Sequence, residues 1–268
     1  MASISQASID GFAKSASYDT HRPSYPTDAV ELLLKKLGVV GIDGVHILDL
    51  AAGTGKFTEI LAQRPERFNI VAVEPHDDMA AVLREKQLKN VDIRSGEARN
   101  IPAEDQSFDA VIAAQVCLGE KPATQNLLRS YVEYDAILVL PLHEKWREVF
   151  EKQLETTPFA ILTAADPLFT LPLGGETVPF RHWLAPSALW DRYRTLSQFA
   201  ALREEELQVV FANPSHSRSL RDSLKIQTLQ DMVQQAITGD DVERNDHGEL
   251  SIHGQTMLAW TSAVPGGP

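Results

Sequence analysis

Ile47-Leu-Asp-Leu-Ala-Ala-Gly-Thr-Gly55 joins a short apolar run, beginning at His46, to a turn carrying two glycines. A run of this kind reads as a buried strand of an α/β sheet. The glycines let the turn backbone come close to a ligand. Lys56 to Gln63 reads as the following helix, whose N-terminus offers free amide groups and the positive end of its dipole. Turns that hold a dinucleotide pyrophosphate carry a third small residue, in the pattern G-x-G-x-x-G/A. This chain has Thr58 at that sixth position and an acid, Asp49, just before the loop. A carboxylate there repels pyrophosphate and suits a cationic ligand group.

The same grammar extends outward. Phe68 to Val73 is a second apolar run, stopped by Glu74-Pro75, and Phe108 to Ala114 is a third. Asn90 to Arg94 is a weaker strand before Ser95-Gly96, and Asp78 to Lys89 has helical spacing. Strands alternating with helices predict a doubly wound, mostly parallel α/β sheet with helices on both faces. Upstream, Pro26 suits the first turn of a helix whose apolar face is Ala29, Val30, Leu32, Leu33, Leu34 and Leu37, ended by Gly38 and Gly41. Residues 1–26 are polar and proline-containing, which predicts an irregular N-terminal arm. Downstream, Thr124 to Val132 and His143 to Leu154 read as helices around a fifth strand, Ala136 to Leu140. Residues 156–183 read as a loop with a hairpin, Pro186 to Leu202 and Leu220 to Ile237 as helices, and Gly248 to Ser262 as the last strand. Residues 27–268 are expected to form a single domain, with 141–200 capping the substrate.

Composition narrows the function. A formal net charge of -12 argues against a nucleic-acid surface, because phosphates are met mainly by Lys and Arg. No stretch approaches the eighteen apolar residues of a membrane span, and residues 1–16 have no apolar core of a signal peptide. Cys117 is the single cysteine, which excludes an internal disulfide and a Cys-pair zinc site. No metal site is expected. The expectation is a cytoplasmic protein acting on a small molecule, without nucleic acid or membrane as a partner. Among small ligands, S-adenosylmethionine has the cationic groups, an amine and a sulfonium, that Asp49 suits. Glu74, about twenty residues beyond the turn, stands where an acid can hold ribose hydroxyls.

These motifs resemble the class I S-adenosylmethionine-dependent methyltransferases, and within them the ubiquinone-biosynthesis-like group. The pattern D-x-A-x-G-x-G is met by Asp49, Ala51, Gly53 and Gly55. Val71-Ala-Val-Glu-Pro75 is similar to the family's second strand. The resemblance implies that Glu74 holds the ribose beside Pro75, and that Met79 lies against the adenine. Ser95 to Pro102 resembles the next loop, with Glu97 and Ala98 flanking the adenine. Phe108 to Gln115 resembles the fourth strand, whose end at Gln115 lines the cofactor pocket. Tyr18, Arg22, Tyr25 and Pro26 are similar to an arm that covers the cofactor. The family implies a seven-stranded Rossmann-like sheet, and Leu184–Arg194 with Gly239–Trp260 look like fungal members, which often serve specialised metabolism.

One stretch departs from the family. Val116-Cys-Leu-Gly-Glu-Lys-Pro122 replaces the usual aromatic- and His-containing segment, and no K-P-G-G-type turn precedes Ala136. A compact variant, a repurposed relative and a misread gene all accommodate this. The leading expectation is methyl transfer to a small organic acceptor. The alternative is a non-methylating relative, an isomerase, cyclase or regulatory subunit. Transfer rests mainly on proximity and in-line orientation, helped by a general base when the nucleophile is protonated. Candidates for the base are His143, His182 and Tyr25, against the plainer reading of each as a packing or surface residue. Phe180, Trp183, Trp190 and Tyr193 read as core aromatics or as a cover for an apolar substrate.

Overall fold

The computed structural model describes residues 19–98, 100–114, 174–195, 237–238 and 242–262. They divide between two compact units, parted at 22/23, 180/181 and 252/253. The unit that begins at Pro23 holds the main sheet.

That sheet has strands β1 (His46–Leu50), β2 (Asn69–Val73), β3 (Val91–Arg94) and β4 (Ala110–Ile112), in the order β3-β2-β1-β4. All three pairings are parallel, with Asp49 opposite both Ala72 of β2 and Ile112 of β4. Parallel neighbours need crossovers, and helices supply two of them. Helix α2 (Lys56–Ala62) links β1 to β2, and α3 (Asp77–Glu85) links β2 to β3. Helix α1 (Thr27–Lys36) precedes β1. The chain steps from β1 to β2 and β3 on one side, then returns to place β4 on the other side of β1. Such a reversal opens a crevice at the carboxyl ends of the strands, the usual ligand position in open α/β sheets.

Burial explains why these residues form these elements. Ile47 and Leu48 of β1, Ile70 and Ala72 of β2, and Leu34, Leu61 and Leu83 of the helices are all buried. Helix α1 ends in a Schellman motif. Gly38 adopts φ +72°, its N–H donates to the Lys35 carbonyl, and the Val39 N–H donates to that of Leu34. Val39 then packs in the same apolar cluster as Leu34. The parallel sheet and its order of helices agree with the expected fold.

The boundaries differ in instructive places. Helix α3 stops at Glu85 instead of Lys89, because Gln87 takes a left-handed φ of +48° that no helix continues. Strand β4 is shorter than Phe108 to Ala114, and Val111 on it is exposed, so this strand is not apolar-buried on both faces as expected.

A second, two-stranded sheet pairs β5 (Gly174–Leu184) with β6 (Leu250–Trp260). Each strand is divided between the two units. Residues 174–184, expected to be loop and hairpin, are therefore one long strand. Its two glycines make room for partners instead of turning the chain. A Cβ on Gly174 would stand 2.2 Å from the Trp260 ring, and one on Gly254 would stand 2.4 Å from Phe180. The last strand runs as expected, but among the described residues it pairs with β5 and not with the main sheet.

In the other unit, helix α4 (Pro186–Arg194) begins where Pro186 predicts. Leu189 packs with Ile237 and Leu250 in a small apolar cluster. Residues of that helix's expected continuation to Leu202 beyond Thr195, and the elements expected at 124–154 and 220–236, lie outside the described residues.

Candidate functional site

Nine of the twelve residues expected from the sequence to contact the cofactor lie at or just beyond the carboxyl ends of β1, β2 and β3. Asp49 is the penultimate residue of β1, and Ala51 to Gly55 form the turn into α2. Glu74 and Pro75 follow β2 directly, Met79 lies in α3, and Glu97 and Ala98 follow β3. Three residues of the turn carry positive φ: Ala51 at +58°, Gly53 at +61° and Gly55 at +80°. Glycine accepts this without steric cost, whereas Ala51 stores strain of the sort found at functional loops.

The glycines do different work. A Cβ at Gly53 would meet nothing within 4 Å, so the turn faces open space there. A Cβ at Gly55 would stand 2.1 Å from Leu83 Cδ1, so this residue lets α3 pack against the turn. Gly55 also caps α2, since its carbonyl accepts the Glu59 N–H at 2.8 Å.

Two carboxylates organise the loop. Glu74 Oε2 accepts the Gly53 N–H at 2.8 Å, and Oε1 accepts the His76 N–H at 2.9 Å. Glu74 is therefore fixed by the turn it would share with a ligand, and each of its oxygens keeps a further lone pair. Burial raises its pKa, against the lowering effect of the His76 and Gly53 hydrogen bonds. Asp49 is only 1% exposed, and its Oδ2 accepts the Thr58 hydroxyl at 2.6 Å. Burial pushes the Asp49 pKa up to about 6; the Thr58 hydrogen bond lowers it and the nearby charge of Glu74 raises it. A buried acid beside a second acid is an environment that a bound cation relieves.

Other expected residues are placed as follows. Met79 is buried, whereas Glu97 and Ala98 are exposed. The loop holding Glu97 and Ala98 is closed by Arg94, which donates to the Pro102 carbonyl at 2.6 Å, and by Pro102 packing on Gly96. Tyr25 is half-buried with its ring edge-on to Phe57, centroids 5.0 Å apart. In the other unit, the Arg22 guanidinium donates to the Thr195 hydroxyl and carbonyl. His182 is half-buried on β5; burial, then the charge of Arg192, lower its pKa. Tyr18, Gln115 and His143 lie outside the described residues, as does Cys117. Among the described residues no group of His, Cys, Asp and Glu could hold a metal, and no helix is long and apolar enough to cross a membrane.

Sequence reasoning used Thr58 only as a departure from the dinucleotide pattern. Its partnership with Asp49, nine residues earlier, is what the structure adds. The signal was available, since the sixth position of such a turn faces the end of the preceding strand.

Residues 47–134 match the methyltransferase domain family. That span starts in β1 and takes in the whole carboxylate-and-glycine loop. Over that span the chain is similar to methyltransferase domains. An uncharacterised methyltransferase-like protein of Schizosaccharomyces pombe is 43% identical over 106 residues, covering 37% of this chain and 38% of its own. An uncharacterised methyltransferase of Mycobacterium bovis is 40% identical over 106 residues, covering 40% of each chain. A demethylmenaquinone methyltransferase of Thermotoga maritima is 33% identical over 85 residues, covering 32% of this chain and 34% of its own. The chain thus spans about two fifths of the length of the first two relatives and a third of the last.

Proposed function

We propose that the chain binds S-adenosylmethionine at the carboxyl ends of β1, β2 and β3 and methylates a small organic acceptor. The observation that carries this reading is the pair of acids around the turn: buried Asp49 beneath it, and Glu74 hydrogen-bonded to Gly53. The residues fit the cofactor. The open space at Gly53 admits a ligand against the backbone, Asp49 offers a negative charge to a cationic amino-acid portion, and Glu74 has lone pairs left for ribose hydroxyls. When bound, the cofactor supplies an electrophilic methyl group. The chain's part is to orient donor and acceptor in line and to exclude water.

Ala51, Pro75, Met79, Glu97 and Ala98 complete the cofactor contacts in this reading; Tyr18, Arg22 and Gln115 are the other residues that the family pattern assigns to the cofactor. The N-terminal arm of residues 1–26 and the segment 141–200 cover the acceptor, and Ala136 to Leu140 contributes to a seven-stranded sheet. A general base, where one is needed, comes from His143, His182 or Tyr25. The acidic composition, with a net charge of -12, supports a small acceptor in place of nucleic acid. The relative named for demethylmenaquinone supports the ubiquinone-biosynthesis-like grouping and a small acceptor. A role in specialised metabolism and a cytoplasmic location belong to the same proposal.

The test is turnover. The purified chain is incubated with S-adenosylmethionine and a panel of phenols, amines and quinols, and S-adenosylhomocysteine is measured. Its formation only with an acceptor present is the expected result. Cofactor binding without S-adenosylhomocysteine across the panel would favour a non-methylating relative.

A further inference from the structure

Thr58 lies in the first turn of α2 and is fully buried, yet its hydroxyl crosses to the β1 acid instead of bonding within its own helix. Asp49 is flanked by β2 and β4. The facing residues of β4, Ala110 to Ile112, carry no charge, and Glu59 of α2 is engaged by Lys86. The charged neighbour acting on Asp49 is Glu74, itself held by the N–H groups of Gly53 and His76. No hydrogen bond to Asp49 Oδ1 is made among the described residues. The Thr58 hydroxyl therefore fixes one carboxylate oxygen and leaves the other to a ligand.

We infer that Thr58 is a positioning residue for the cofactor site: its hydroxyl orients Asp49 and holds it in the ionised form that receives the cationic end of the ligand. The inference rests on the cofactor reading above. It follows from chemistry at that position. A hydroxyl donor stabilises a carboxylate more than a carboxylic acid, and a buried acid beside Glu74 is otherwise driven towards its neutral form. It also gives Thr58 a reason to stand where a dinucleotide loop places Gly or Ala. The side chain supports a strand acid that a pyrophosphate site would not tolerate.

The test is calorimetric titration of the full chain with S-adenosylmethionine and with S-adenosylhomocysteine between pH 5 and 7.5. Wild type, Thr58→Ser and Thr58→Val are compared, with thermal melts to establish folding. Wild-type affinity is expected to rise with pH as Asp49 ionises. Thr58→Val should lose at least tenfold at pH 7 and move the half-point of that rise to higher pH, whereas Thr58→Ser should stay within threefold of wild type with the half-point unmoved. Should the Val variant melt below the assay temperature, Thr58→Ala takes its place against Ser. Binding by the Val or Ala variant equal to wild type would overturn the inference. So would a loss of affinity with no movement of the half-point, which is what a purely structural role gives. A folded wild-type chain that binds neither ligand would instead remove the cofactor reading itself.

Discussion

Asp49 ties the stability of the fold to pH through one buried carboxyl group. Its pKa stands near 6 in the folded chain, above the usual carboxylate value of 3.8, so the folded state binds the proton more tightly than the unfolded one. The sign follows: stability falls as pH rises from about 4 to 6 and stays low above that. Asp49→Asn keeps an acceptor for Thr58 and removes the buried charge. It should therefore gain about 1–3 kcal/mol over wild type at pH 8, the gain vanishing near pH 4, as read by urea unfolding. The same variant should lose cofactor affinity, an exchange of stability for function that is common at active sites. Ala51, with φ +58°, should be relieved by Ala51→Gly, a gain of roughly 0.5–1 kcal/mol in a thermal melt. Gly55→Ala meets both a left-handed φ and the buried Leu83. A loss of about 2–4 kcal/mol is expected, part of it recovered in a Gly55→Ala, Leu83→Ala double variant.

At the scale of elements, the loop from α1 to β1 is tied to the entry of β2 by one buried acid. Glu66 accepts two hydrogen bonds from the Arg64 guanidinium and one from the Gly41 N–H, and its own carbonyl accepts the Gly44 N–H. The Arg64 hydrogen bond lowers the Glu66 pKa to about 2, from an ordinary 4.5, against the opposing effect of burial. Here the sign is opposite to that of Asp49. The stabilisation is complete above pH 4.5 and is lost as pH falls towards 2. Glu66→Gln should therefore lower the urea midpoint at pH 7 and converge on wild type near pH 2. This tie was not visible in the sequence, because nothing local distinguishes Glu66 from a solvated charge. Strands β1 and β2 and helices α1 and α2 were legible, because their apolar runs and glycine punctuation are local and agree with their packing. Strand β5 was not. Gly174-Gly175 and Pro179 are turn residues by local reading, and only pairing with β6, some seventy residues later, makes them strand. The end of α3 was missed for a related reason, since nothing in Gln87 itself announces a left-handed φ.

For the whole molecule, the order β3-β2-β1-β4 decides where chemistry can occur, and it places Asp49, Gly53 and Glu74 on the same edge. That much of the candidate site was readable, because each residue sits beside a strand end that an apolar run marks. Which acid touches which backbone group was not readable, since it depends on side-chain geometry across elements. The segment 141–200, proposed to cover the acceptor, lies largely outside the described residues. In the proposed function, the acid-flanked glycine turn holds S-adenosylmethionine. Calorimetric titration of wild type and of an Asp49→Ala, Glu74→Ala double variant at pH 7.5 tests it most directly. Micromolar binding by wild type, about 8 kcal/mol, with no detectable heat from the folded variant, is the result expected. Equal binding by both chains, or none by a folded wild type, would contradict it.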